Sequence, residues 1–154
     1  MKKILFSALL SINLLTISAE EVVIDNSITK LNMKTQVSLL EEMRMIKGGM
    51  DKLLQYMISG DFEAIQKEAI SIRNSFVFVK SLSKEQKQEI GKILPRSFMI
   101  LDNELHEAAN EMANFAEFED TENVKLYYDK MTNSCIKCHA KFATRRFPNW
   151  KDID

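Results

Sequence analysis

Apolar residues recur at steps of three and four over most of this 154-residue chain. That spacing places them on one face of an α-helix, and no stretch shows the strict alternation that is typical of a β-strand. Only four glycines and two prolines are present to interrupt the pattern. We therefore expect an all-α fold.

The first two periodic segments meet at a glycine. The first spans roughly residues 28–59 and ends at Gly60, a residue type common just after a helix C-terminus. Asp61 is a typical N-cap for the segment that follows. The expected inward-facing residues of these segments are Leu39, Met43, Ile46, Met50, Leu53 and Met57, then Phe62, Ile65, Ala69, Ile72, Phe76 and Val79.

Two further segments follow Pro95. Before that proline, Ser83 and Gln86 have the spacing of a capping box and predict a short helical turn. The fourth segment starts near Asp120 or Thr121. The expected inward-facing residues are Phe98, Leu101, Leu105, Ala108, Met112 and Phe115, then Val124, Tyr128, Met131, Cys135, Cys138 and Phe142. Four amphipathic helices with short connections predict one antiparallel four-helix bundle with up-down-up-down topology.

The only two cysteines stand beside a histidine in the string Cys135-Ile136-Lys137-Cys138-His139. This C-x-x-C-H spacing is the attachment signature of a c-type haem. Positions i and i+3 share one helix face, so both sulfurs can form thioethers with the two vinyl groups of one porphyrin. His139 would then supply the proximal iron ligand. The sequence predicts one covalent haem c held by Cys135, Cys138 and His139.

Two other uses of these cysteines are less favoured. A thioredoxin-like redox pair normally follows a strand in a βαβ pattern, and no such pattern precedes Cys135. A structural zinc site normally takes four ligands, and the only other histidine is His106.

Residues 1–19 have the composition of a cleaved secretory signal peptide. Met1-Lys2-Lys3 is positively charged, an apolar run follows over residues 4–15, and Ala19 is a small residue suited to the cleavage position. A membrane anchor is the alternative, but the run is short for a bilayer and polar residues interrupt it. We expect export to the periplasm of a Gram-negative bacterium, one mature domain over residues 20–154 and no stable membrane insertion after cleavage.

The charge balance excludes a nucleic-acid-binding protein. Without residues 1–19 the chain loses two lysines and no acids, which leaves 19 basic against 22 acidic residues and a net charge of −3. No cluster of catalytic acids, bases or nucleophiles surrounds the C-x-x-C-H motif, so we expect no enzyme activity.

A secreted chain of four helices with a single C-x-x-C-H near its C-terminus resembles the class II c-type cytochromes, the cytochrome c′ family. The resemblance covers essentially the whole of residues 20–154. It implies an electron carrier where a methionine of the first helix is the sixth iron ligand, and a gas-binding protein where that position is open. Members are often homodimers through their first two helices, so the resemblance allows a homodimer here.

The string Met43-Arg44-Met45-Ile46-Lys47-Gly48-Gly49-Met50 is similar to the first-helix pattern of low-spin members, Met-Arg-x-Ile-x-Gly-x-Met. The resemblance implies that Met43 binds the iron opposite His139 and that Met50 lies against the haem. A mid-helix glycine costs about 1 kcal/mol relative to alanine, and close approach of a flat ring would explain two in succession. We therefore expect a low-spin His139/Met43 electron carrier that serves redox partner proteins.

Other sixth ligands remain open. We expect the last helix to end near Arg146, and antiparallel packing would then place His139 level with the first half of the first helix. Met33 therefore competes with Met43. His106 would give a bis-histidine site, although a lone histidine beside an apolar stripe is more often at the surface or satisfied by a neighbour. An open position would give a five-coordinate cytochrome c′ that binds NO or CO, and in a third alternative the haem only stabilises the fold.

Two positions depart from the family pattern. Leu39 stands where many relatives have arginine, and Ala143 follows the aromatic Phe142 where relatives often have a basic residue. Four basic side chains nearby can compensate the haem propionates or form a solvated helix end that suits the helix dipole. They are Lys137, Lys141, Arg145 and Arg146. We expect the segment Phe147-Pro148-Asn149-Trp150 to fold back over the end of the bundle.

Overall fold

The computed structural model describes residues 27–75 and 82–150. Every regular element in these ranges is a helix, which confirms the prediction of an all-α fold. The expected signal peptide at residues 1–19 lies outside the described residues, as do the expected inward-facing residues Phe76 and Val79.

A short 3-10 helix precedes five α-helices in the described ranges, where the sequence predicts four long helices and one short turn. The 3-10 helix is Ser27–Lys30, and the α-helices are α1 (Met33–Ser59), α2 (Phe62–Asn74), α3 (Lys84–Ile93), α4 (Arg96–Glu117) and α5 (Thr121–Phe142).

Local capping explains both ends of α1. The helix begins at Met33 rather than near Ile28, because the Asn32 side chain accepts a hydrogen bond from the Thr35 N–H at 2.9 Å. It ends at Gly60 as predicted, and the φ of 70° at this residue lies in the left-handed region that favours glycine.

The predicted caps of α2 and α3 are also present. Asp61 accepts a hydrogen bond from the Ala64 N–H at 3.0 Å. Ser83 and Gln86 form the capping box, with N–H to side-chain oxygen distances of 3.1 and 3.3 Å. However, α3 runs for ten residues instead of one turn. The longer helix allows Ile90 to be buried on the same face as Gln86.

The last helix is shorter than predicted. It ends at Phe142, not near Arg146. The Ala143 N–H makes the final helical hydrogen bond, to the His139 carbonyl at 3.1 Å. The next two hydrogen bonds run from the N–H groups of Arg146 and Phe147 to the Ala143 carbonyl, at 2.9 and 3.0 Å, so the chain turns out of the helix there.

Buried apolar side chains form two clusters. The main cluster joins α1, α2, α4 and α5, and the α3 cluster joins α3 to the ends of α1, α4 and α5. The main cluster comprises Ile46, Leu53, Ile65, Ala69, Ile72, Leu105, Ala108, Ala109, Met112, Ala113, Ala116, Val124 and Met131. The α3 cluster comprises Leu31, Leu39, Leu82, Ile90, Leu94, Phe98 and Phe142. All the predicted inward-facing residues within the described ranges belong to one of these clusters or pack against it.

The helices are also tied together by close packing and by hydrogen bonds. The closest packing joins α1 to α2, α2 to α4 and α4 to α5. Tyr128 in α5 donates a hydrogen bond to the Met50 carbonyl in α1 at 3.3 Å. Glu89 in α3 accepts from the Asn32 N–H at 2.7 Å and from the Thr35 hydroxyl at 3.1 Å, which fixes α3 to the start of α1. Among the described residues, no helix has the length and hydropathy needed to cross a membrane.

Candidate haem-attachment site

The C-x-x-C-H motif lies on the last three turns of α5, with both cysteines on its inward face. Cys135 is half-buried and packs against the main cluster. Cys138, one turn later, is half-buried and packs against the α3 cluster. The two sulfurs therefore lie at the boundary between the two apolar clusters.

Both cysteines are free thiols in an environment that opposes charge. Burial raises the pKa of Cys135 to about 11. Burial, with a smaller contribution from the negative charge of Asp102, raises the pKa of Cys138 to about 12. Both sulfurs are therefore protonated at neutral pH. Cysteines that perform disulfide exchange usually have a lowered pKa and react as thiolates, so this environment does not suit a thioredoxin-like pair.

His139 is half-buried near the end of α5. Burial and, to a lesser extent, the charge of Arg146 lower its pKa. The ring therefore stays neutral to a lower pH than an exposed histidine, and neutral imidazole is the form that binds metals. Phe147 stacks on the imidazole, with ring centroids 4.2 Å apart and 16° between the planes. Within the segment expected to fold back over the end of the bundle, Phe147 turns back onto α5 at this contact, whereas Pro148, Asn149 and Trp150 are exposed.

Met43 is the methionine of α1 that lies between the two apolar clusters. Its side chain is half-buried and packs against both the main cluster and the α3 cluster. Met50 and Met57 pack against the main cluster. Met33 is the first residue of α1, and its side chain is 74% exposed, so it lies away from the core that holds the cysteines.

One of the two adjacent glycines in α1, Gly49, has a different explanation from the one expected. A Cβ at Gly49 would lie 2.7 and 2.8 Å from Cγ1 and Cδ1 of Ile72 in α2. Close packing of α1 on α2 therefore accounts for Gly49, without a flat ring. A Cβ at Gly48 would meet no atom within 4 Å, so packing places no demand on that position.

A buried polar cluster lies beside the cysteines, and the sequence analysis did not predict it. Glu42 from α1 is fully buried, and Asp102 and His106 from α4 are nearly so. His106 Nε2 lies 3.5 Å from Glu42 Oε1 and 4.0 Å from Asp102 Oδ1. His106 Nδ1 lies 3.1 Å from the Ile72 carbonyl oxygen of α2. His106 is thus satisfied by neighbours in the interior, and its spacing of four residues from Asp102 was the available signal.

Asp102 is a buried carboxyl group whose ionisation is disturbed by its surroundings. Burial raises its pKa to about 7, with a further contribution from the charge of Glu42, while His106 opposes the shift. Asp102 Oδ2 is buried and has no hydrogen-bond partner among the described residues. Because Asp102 also raises the pKa of Cys138, the polar cluster lies within electrostatic reach of the C-x-x-C pair.

The four basic side chains near the end of α5 are all exposed. Within the described ranges, no carboxylate forms an ion pair with any of them. They are Lys137, Lys141, Arg145 and Arg146. Their charges are therefore available to a ligand, to a partner or to the helix C-terminus.

The described residues contain no group of three or more His, Cys, Asp or Glu side chains placed to hold a metal ion. Among these residue types, haem iron would bind only His139. The finding therefore argues against a zinc site and does not bear on haem. No protein-family model, curated protein or solved structure matches the chain.

Proposed function

We propose that the chain is an exported monohaem c-type cytochrome of the class II kind, which carries electrons between redox partner proteins. The observation that carries this proposal is the location of the C-x-x-C-H motif. Its cysteines face inward at the boundary of two apolar clusters, and Met43 from α1 packs against both clusters. This arrangement supports a haem held between the cysteines of α5 and a sulfur ligand from α1.

The chemistry of the two thiols supports haem over the alternatives. Disulfide exchange requires a thiolate, and burial makes thiolates unfavourable at Cys135 and Cys138. A structural zinc site normally takes four ligands, and the described residues bring no group of three or more His, Cys, Asp or Glu side chains together to hold a metal ion. A thioether carries no charge and no polar hydrogen. Thioether bonds to a porphyrin therefore suit these two positions better than either alternative.

Four residues would hold the group. Cys135 and Cys138 would bind the porphyrin covalently, and His139 and Met43 would bind the iron. When bound, the haem supplies one-electron chemistry at its iron, and the protein supplies binding, orientation and electrostatics. Ligation by histidine and methionine raises the reduction potential, which suits an electron carrier.

The position of Met43 favours it over the other methionines as the sixth ligand. Met33 is largely exposed, and Met50 and Met57 pack only against the main cluster among the two described clusters. Cys138 packs against the α3 cluster, and Met43 is the partly buried methionine of α1 that reaches that cluster. His106 is already engaged with Glu42 and with the Ile72 carbonyl, which argues against a bis-histidine site.

The proposal includes an antiparallel four-helix bundle made of α1, α2, α4 and α5. Two of the connections are very short, since Gly60 and Asp61 alone separate α1 from α2, and residues 118–120 separate α4 from α5. Connections of this length favour antiparallel neighbours. In this arrangement α3 is an addition that covers one end of the core.

The signal-peptide-like composition of residues 1–19 supports export of the mature protein to the periplasm. The exposed side chains of Lys137, Lys141, Arg145 and Arg146 would compensate the haem propionates. Charge-assisted hydrogen bonds from arginine and lysine are well suited to that task. The partner proteins would then approach near this end of α5.

Optical spectroscopy of the purified protein and two matched variants tests the assignment of the iron ligands. The wild type should show a low-spin spectrum with the methionine–ferric charge-transfer band. Met43→Leu keeps the apolar volume but removes the sulfur, so it should become high-spin and bind carbon monoxide. Met57→Leu alters another methionine of α1 that packs against the main cluster; it is the control and should keep the wild-type spectrum.

A wild-type protein that is already high-spin and binds carbon monoxide without competition would support the five-coordinate gas-binding alternative. A low-spin spectrum that survives Met43→Leu would show that another residue is the sixth ligand.

A further inference from the structure

The stacked pair of His139 and Phe147 depends on the early end of α5. The two residues are eight positions apart, which in a continuous helix would separate them by roughly 12 Å along the axis. Instead, the helix stops at Phe142 and the Phe147 N–H bonds to the Ala143 carbonyl at 3.0 Å. The chain then places the two ring centroids 4.2 Å apart.

The geometry of the contact leaves the nitrogens of His139 accessible. With only 16° between the planes, Phe147 covers a face of the imidazole and not its edge. The lone pair that binds a metal lies in the plane of the ring, so a stacked neighbour does not block it. The neighbour does restrict rotation of the imidazole about its Cβ–Cγ bond.

We propose that Phe147 is a positioning residue, which fixes the imidazole plane of His139 for iron binding. This inference rests on the proposed function, because it concerns the ligand side chain of the haem. Metal-binding histidines usually have their orientation fixed by a second group, most often a hydrogen-bond acceptor on the other ring nitrogen. Here the ring of Phe147 lies against the face of the imidazole and would fix its orientation instead.

The turn after α5 gives this contact its rigidity. The N–H groups of Arg146 and Phe147 both donate to the Ala143 carbonyl, and the Trp150 N–H donates to the Phe147 carbonyl at 3.3 Å. The guanidinium carbon of Arg146 lies 5.8 Å from the centroid of the Phe147 ring, within the range of a cation–π contact. Hydrogen bonds therefore hold the backbone of Phe147, and the contact with Arg146 holds its ring.

Electron paramagnetic resonance of the ferric haem protein tests the proposal, because its g values depend on the orientation of the axial imidazole plane. Phe147→Leu keeps an apolar side chain but removes the flat face, so it should shift the largest g value and broaden or split the signal. Phe147→Tyr restores the flat face and should return the wild-type spectrum. Trp150→Ala, in the same segment, is the control and should leave the g values unchanged.

Mass spectrometry of each sample distinguishes failure of haem attachment from failure of the positioning role of Phe147. Wild-type protein without the mass of a haem would overturn the proposed function and this inference with it. Haem-loaded Phe147→Leu protein with unchanged, narrow g values would overturn the inference alone. If Phe147→Leu cannot be purified, Phe147→Ala gives the same comparison with the same two outcomes.

Discussion

Glu42 and His106 face each other in the interior, with Oε1 of the carboxylate 3.5 Å from Nε2 of the imidazole. A carbonyl oxygen only accepts hydrogen bonds, so the 3.1 Å contact with the Ile72 carbonyl assigns a proton to His106 Nδ1. Nε2 is then directed to the carboxylates of Glu42 and Asp102. Buried ionisable groups of this kind connect α1, α2 and α4, and they make the stability of the fold depend on pH.

Replacement of Asp102 by asparagine should change the pH dependence of stability. The pKa of Asp102 is raised from 3.8 to about 7 in the folded state, so between these values the folded chain binds more protons than the unfolded chain. Its contribution to the free energy of unfolding therefore falls as the pH rises from about 4 to about 7 and is constant above that. Asp102→Asn removes this fall. The free energy of unfolding of the variant, relative to that of the wild type, should therefore be about 3 kcal/mol higher at pH 8 than at pH 5, since one pKa unit corresponds to roughly 1.4 kcal/mol.

Urea unfolding at the two pH values measures this difference. Asp129→Asn alters an exposed carboxylate of α5 and serves as the control, with no change between the two pH values expected. An equal effect of Asp102→Asn at pH 5 and pH 8 would show that burial does not raise the pKa of this carboxyl group.

Adjacent glycines in α1 should respond in opposite ways to alanine. Gly49→Ala gains about 1 kcal/mol of helix propensity, but its Cβ would lie 2.7 Å from Ile72 Cγ1. Overpacking of this kind costs about 1–3 kcal/mol, so we expect a net loss of stability. Gly48→Ala meets no atom within 4 Å and should gain up to about 1 kcal/mol.

Urea unfolding of the two single variants and of Gly49→Ala with Ile72→Ala checks this explanation. In the Ile72→Ala background most of the harm from Gly49→Ala should disappear, because the two closest contacting atoms are absent and only Glu68 Oε1, at 3.2 Å, remains. Equal losses in both backgrounds would mean that the close approach of α1 and α2 does not require glycine.

Local features of the fold were predictable from the sequence. Asp61, Ser83 with Gln86, and Gly60 act within one turn of the backbone, so their roles follow from residue type and spacing. The three- and four-residue periodicity likewise identified the inward-facing residues within the described ranges. The C-x-x-C-H motif is local in the same sense, and its two cysteines do lie on one inward face.

Features that depend on a partner elsewhere in the chain were not predictable. Glu42 interrupts an apolar stripe, and the partner that faces its carboxylate, His106, lies across the core on another helix. Gly49 is explained by Ile72, which lies on another helix. The end of α5 at Phe142 follows from the turn that carries Phe147 onto His139 and not from a helix-breaking residue at that position.

The most direct test of the account is the intact mass of the mature protein, purified from the periplasm of cells that attach haem to c-type cytochromes. We expect the polypeptide mass from residue 20 onward plus one haem, and loss of that addition in a Cys135→Ala, Cys138→Ala variant. The polypeptide mass alone, or a mass lower by two hydrogens from a bond between the two sulfurs, would contradict it.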